Sequence, residues 1–125
     1  MYSEKYLKHF QNPQNIGDVL EPDGAADVKH EGGGCLDRVR MTMKVEDDIV
    51  VDIRYKLRAC SGTIAASSAV TSLANGKSVS EADDIQIADV LQELGGVPEK
   101  KMHSVELAVK ALNEAIADYR RRAAE

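Results

Sequence analysis

The chain contains no tryptophan and a single phenylalanine, Phe10, beside four tyrosines. Its core must therefore be built mostly from Val, Ile, Leu, Met and Ala. No stretch approaches the roughly 20 apolar residues that a membrane-spanning helix needs, and the opening Met-Tyr-Ser-Glu-Lys-Tyr lacks an apolar signal core. A basic surplus is missing too: 16 Lys and Arg stand against 21 Asp and Glu, a net charge of −5. That argues against a general nucleic-acid binder. The one basic run, Arg120-Arg121-Arg122, is expected to complement the C-terminal end of a helix. Cysteines number two, Cys35 and Cys60. With no secretion signal they are expected as thiols in a reducing cytoplasm.

What remains is an ordinary soluble composition, 43% hydrophobic and 30% charged over 125 residues, read as one domain spanning 1–125. Ser3 can cap a short helix running to about Phe10, with Tyr6, Leu7 and Phe10 on one side and Asn12-Pro13 ending it. Residues 14–24 read as loop. Val39, Met41, Met43 and Val45 then alternate with polar residues, as do Ile49, Val51, Ile53, Tyr55 and Leu57. This period of two marks half-buried strands. The short polar Glu46-Asp47-Asp48 joins them as an antiparallel hairpin, and Ala26 to His30 offers a third, weaker strand. Gly62 to Ala74, rich in Ala and Ser, reads as a buried helix stopped by Asn75-Gly76. Ser78 and Glu81 form a capping box, Ile85 to Leu94 a further helix ended by Gly95-Gly96. From Pro98 the final helix carries Met102, Val105, Val109, Leu112, Ile116 and Tyr119 as one stripe. The expected fold is α+β, a three-stranded antiparallel sheet with helices packed on its apolar face.

Four potential ligands stand out: Cys35, Asp37, Cys60 and His103. Asp37 and Cys35 continue the odd-numbered series of Val39 and Met41, so both should face the helical layer. Cys60 lies just past the end of the paired strand. The start of one hairpin strand and the end of the next are neighbours, which brings Cys35, Asp37 and Cys60 to one edge. His103, near the start of the last helix, need only approach that edge. Two thiolates, an imidazole and a carboxylate can fill a tetrahedral Zn²⁺ site or offer four ligands to a small iron–sulfur cluster.

Blander readings stand beside this one. Either cysteine can be a small buried hydrophobe, His103 a capping residue, Asp37 a turn residue. His9 and His30 read as surface residues. Gly32-Gly33-Gly34 is not followed by Gly-Lys-Ser/Thr, so it is no phosphate loop. Ser67, Ser68 and Ser72 read as helix packing, since no catalytic base is placed beside them.

Several segments resemble one family in order and spacing. They are Tyr2-Ser3-Glu4-Lys5 with the run from His9 to Gly17, Cys35-Leu36-Asp37, and Cys60-Ser61-Gly62-Thr63 leading into the Ala/Ser helix. Asn75-Gly76-Lys77-Ser78, Lys101-Met102-His103-Ser104 and the run from Ala115 to Tyr119 complete the set. Together these resemble the U-type iron–sulfur cluster assembly scaffolds, the IscU proteins and the N-terminal domain of NifU. The resemblance implies a [2Fe–2S] cluster held transiently by Cys35, Cys60, His103 and Asp37. Sulfur would come from a cysteine desulfurase, and the cluster would pass to apo iron–sulfur proteins. It also implies Zn²⁺ at the same residues in the cluster-free form, and no enzymatic turnover.

Two positions depart from the family pattern. Ser104 stands where the family has a third cysteine, and a neutral hydroxyl is a far weaker ligand that cannot carry a persulfide. The stretch from Leu94 to Lys101 lacks the Leu-Pro-Pro-Val-Lys segment that a dedicated Hsp70 recognises, so that partner does not carry over. Two other readings therefore stay open. One is a zinc-binding homologue that acts on a cysteine desulfurase as sulfur acceptor or regulator. The other is a small zinc enzyme with an open coordination position.

Overall fold

The computed structural model describes residues 2–29, 37–58 and 61–125. In chain order the elements are α1 (Glu4–Gln11), β1 (Gly24–Lys29), β2 (Arg38–Glu46), β3 (Ile49–Arg58), α2 (Ser61–Ala74), α3 (Val79–Asp83), α4 (Ile87–Leu94) and α5 (Met102–Ala123), with a 3-10 turn at Glu99–Lys101. The three strands form one antiparallel sheet in the order β1-β2-β3. Helices cover one face: α5 lies on β1 and β2, and α2 packs between α5 and β3. This is the α+β architecture that the alternation and the helical stripe predict. Val39, Met41, Met43, Ile53 and Tyr55 meet Ala65, Ala66, Ala69 and Val70 of α2 and Val105, Leu112 and Ile116 of α5 in the core. The alanines let α2 sit close to its neighbours, which is how a protein short of aromatics fills its interior.

The hairpin turn is tight. Glu46 pairs with Ile49, and Asp47 and Asp48 both take positive φ, 50° and 63°. Two positive-φ central residues match the right-handed twist of the strands. Here the sequence alternation breaks. A register shift lies between Lys44 and Val45, whose partners are Asp52 and Val50, so Val51 is the extra residue of a bulge. Val50 turns into the core, while Ile49 and Val51, expected inside, are exposed. The cause lies across the sheet end. Val50 N–H donates to the Lys77 carbonyl, and its own carbonyl accepts from Gly76 N–H, both at 2.8 Å. The turn after α2 therefore fixes the first residues of β3.

The N-terminal helix also differs from expectation. Ser3 caps it by accepting from Tyr6 N–H, and Tyr6 is buried, but Leu7 and Phe10 remain exposed. The inward face instead carries Tyr6 and His9, three residues apart. His9, expected at the surface, is largely buried and bridges two other helices: Nδ1 lies 2.7 Å from Ser68 Oγ on α2 and Nε2 2.8 Å from Glu93 Oε2 on α4. Ser68 Oγ also accepts from Gln14 N–H at 2.9 Å. Ser67 and Ser68 are buried within the helix packing, whereas Ser72 is exposed. His30 lies outside the described residues. In the last turn of α5 the arginine run is used for side-chain pairs: Arg120 with Asp83 at 2.6 Å, and Arg121 and Arg122 both with Asp118.

The segment before β1 runs along the β3 edge of the sheet and then onto its outer face. Gly17 N–H donates to the Tyr55 carbonyl, Tyr55 N–H donates to that of Asn15, and Val19 N–H donates to Thr42 Oγ1 at 2.9 Å, burying that threonine. Both backbone polar groups of Tyr55 are thus bonded to this segment. Burial pushes its phenol up to about 12, with the Ser68 hydroxyl drawing it partly back. An unfolded tyrosine ionises near the ordinary value of about 10. The stabilisation is therefore complete below that pH and is lost as pH rises through the folded value. Denaturant midpoints measured from pH 9 upward should fall between roughly pH 10 and 12, and more shallowly in Tyr55→Phe.

Candidate metal and cluster site

The site forms where β2 begins, β3 ends and α2 and α5 start. Arg38, the first residue of β2, faces Arg58, the last of β3. Asp37 thus lies beside the end of β3, at the start of the strand its odd-numbered parity predicts. Its side chain points into the helical layer and is only 1% exposed. A carboxylate out of water needs partners. Asp37 Oδ2 accepts from Thr63 Oγ1 at 2.9 Å, in the first turn of α2. The His103 imidazole, in the first turn of α5, brings Nε2 to 3.6 Å from the same oxygen. Two of the four sequence-derived ligands, from opposite halves of the chain, therefore meet.

The other two, Cys35 and Cys60, lie outside the described residues. The residues nearest them in sequence do belong to this corner: Asp37 follows Cys35 by two positions, and Gly62 and Thr63 follow Cys60. Among the described residues, three or more His, Cys, Asp or Glu side chains converge nowhere, so a complete donor set here requires the cysteines. The chemistry of the set, two thiolates, an imidazole and a carboxylate, fits a soft or borderline metal. His103 is 28% exposed on its side chain and borders an open groove of about 470 Å³ between β1 and α5, rimmed by Asp27, Lys29, Glu106 and Lys110. The imidazole is reachable from solvent, while the carboxylate behind it is not.

Ser104 is turned away from that groove. It is buried, and its Oγ lies 3.1 Å from Thr63 Oγ1. Gly62 makes this possible: a Cβ there would stand 2.9 Å from Ser104 Oγ and 3.0 Å from Lys101 Cδ. Only glycine lets the starts of α2 and α5 come so close. Thr63 was not visible as a site residue in the sequence, where it reads as one more small polar residue of an Ala/Ser helix. The available signal is on α5. Ser104 falls at the head of the series Ala108, Ala111 and Ala115, all of them buried, and a hydroxyl on that line must find a partner inside.

A family model for the NifU-like N-terminal domain matches residues 1–125. An iron–sulfur cluster assembly scaffold protein, IscU 1 of Archaeoglobus fulgidus, is 41% identical over 122 residues, 98% of this chain and 78% of that protein. The scaffold protein IscU of Escherichia coli K12 is 39% identical over 121 residues, covering 95% of this chain and 94% of the relative. Among solved structures, the N-terminal part of a NifU-like protein from Brucella abortus superposes with a TM-score of 0.71 at 23% identity, over 95% of this chain and 94% of that one. At that identity the likeness establishes the fold.

Proposed function

This chain belongs to the NifU-like N-terminal domain family, and from that premise we propose that it is an iron–sulfur cluster assembly scaffold. It holds a [2Fe–2S] cluster as cargo and then gives it up to apo-proteins, without catalytic turnover. The observation that carries this reading is the meeting of Asp37 and His103, 3.6 Å apart, at the sheet end from which both cysteine-bearing segments run. Cys35, Cys60, His103 and Asp37 are the proposed ligands.

The division of labour follows from ligand chemistry. Thiolates bind iron strongly; a carboxylate is a hard, weak partner for a soft cluster. One weak ligand makes the holding site a releasing site as well. Sulfur enters as a persulfide from a cysteine desulfurase. A Cys35 or Cys60 thiolate attacks its outer sulfur, and the donor cysteine leaves as a thiolate. Iron and the electrons that reduce the sulfur to sulfide come from further partners. Ser104 takes no part in sulfur acceptance, since a hydroxyl cannot carry it. No helix among the described residues is long and apolar enough to cross a membrane, and a cytoplasmic location is part of the proposal. The test is transfer. Protein charged anaerobically with iron, cysteine and a desulfurase should pass its chromophore to an apo-ferredoxin; an apo-ferredoxin left colourless contradicts the reading.

A second reading is favoured by Ser104 itself. With the third thiol gone, two thiolates, one imidazole and one carboxylate also make a closed tetrahedral Zn²⁺ set. In that case the protein docks on a desulfurase as sulfur acceptor or regulator. Stoichiometric zinc that sulfide and iron fail to displace separates the two.

A further inference from the structure

We propose that Ser104 and Thr63 form a two-hydroxyl relay that positions the Asp37 carboxylate for metal, so that Ser104 acts from behind the site and is not a ligand within it. The inference rests on the reading of Asp37 as a ligand and goes beyond it by assigning roles to two residues outside the donor set.

The direction of the relay follows from proton counting. Thr63 Oγ1 lies 2.9 Å from Asp37 Oδ2 and 3.1 Å from Ser104 Oγ. A hydroxyl has one proton to give. Asp37 Oδ2 is an acceptor and Ser104 can donate, so Thr63 donates to Asp37 and accepts from Ser104. The order is Ser104 to Thr63 to Asp37, and each bond polarises the next. All three side chains are at most 1% exposed, so solvent does not compete with the relay from either end.

The placement is as informative as the distances. Asp37 precedes β2, Thr63 is in the first turn of α2, three residues after Cys60, and Ser104 directly follows His103 in α5. The relay therefore joins Asp37 to the starts of α2, the helix that follows Cys60 in sequence, and α5, the helix that carries His103. Hydrogen bonds from behind fix the orientation of metal-binding carboxylates, and their removal costs roughly 10–100-fold in metal affinity. The Gly62 contact shows how closely the two helix starts must approach for the relay to close.

The test uses Co²⁺ as probe with the full, reduced chain under anaerobic conditions, reading both the dissociation constant and the d–d absorption bands. Thr63→Val keeps the shape and removes the donor. It should weaken Co²⁺ binding by about 10–100-fold and shift the bands, with Thr63→Ser restoring both. Ser104→Ala, which cuts only the far end, should move both readouts in the same direction by less. A Thr63→Val protein that melts at a lower temperature yet binds Co²⁺ with the wild-type constant and spectrum overturns the relay and leaves a packing role. If Thr63→Val does not fold, an unchanged constant and spectrum in Ser104→Ala overturns it equally. Wild-type protein that binds no Co²⁺ fails differently, because it removes the ligand reading on which the relay rests.

Discussion

Cys60→Ser should abolish cargo binding, lowering affinity by more than about 100-fold, the upper end of what losing a mere hydrogen-bond partner of a ligand costs. The thiolate is the group that binds soft metal, and a serine hydroxyl stays protonated and hard at neutral pH. Thr63 and Ser104 do not compensate: both are buried, bonded to each other, and Thr63 is bonded to Asp37. What would remain is one thiolate, an imidazole and a carboxylate, too weak a set for a cluster. Cys35→Ser should do the same. Iron content and visible absorption after anaerobic reconstitution check both, with far-ultraviolet circular dichroism to establish that the variants fold. A Cys60→Ser protein that keeps its chromophore would place the cluster elsewhere.

The largest loss of stability is expected at a residue remote from the candidate site. Gly24 begins β1 beneath α5. A Cβ there would lie 2.5 Å from the Ala115 carbonyl oxygen and 2.9 Å from Tyr119 Cβ. The obstacle is helix backbone, which cannot rotate aside as a side chain would. Gly24→Ala must then push α5 off the sheet or bend the strand, at about 3 kcal/mol, the upper part of the overpacking range. Against a typical total of roughly 5–15 kcal/mol this is severe, and melting should drop by about 10 °C. Gly76→Ala is the control. Its Cβ would meet nothing within 4 Å, so only the strain of its φ of +85° remains, about 1 kcal/mol. Urea unfolding of the two variants side by side measures the difference.

The legible parts of this protein were those set by local rules. The Ser78–Glu81 capping box forms with both bonds at 3.1 Å. The hairpin pairs around its two acidic residues, and the stripe from Val105 to Ile116 is the buried face of α5. Its odd-numbered parity alone places Asp37 on the inner face, where it is buried. What the sequence hid was set by contacts between distant segments. The bulge at Val51 arises because a turn some 25 residues later, Gly76-Lys77, bonds to Val50; no pattern within the strand encodes it. His9 reads as a surface residue because hydrophobic periodicity does not count histidine, though it occupies the inward face beside Tyr6. Thr63 escaped because one threonine in a small-residue helix gives no sign of which carboxylate it will meet. The proposed joining of the two cysteines to Asp37 and His103 follows from sequence position and family membership.

That step is tested most directly by one assay: iron and acid-labile sulfide, with an absorption spectrum, on protein reconstituted without oxygen. A cluster scaffold carries iron and sulfide in equal amounts with a visible chromophore, lost together in Cys35→Ser and Cys60→Ser. Zinc without sulfide, or no metal under any reconstitution, would contradict a cluster scaffold.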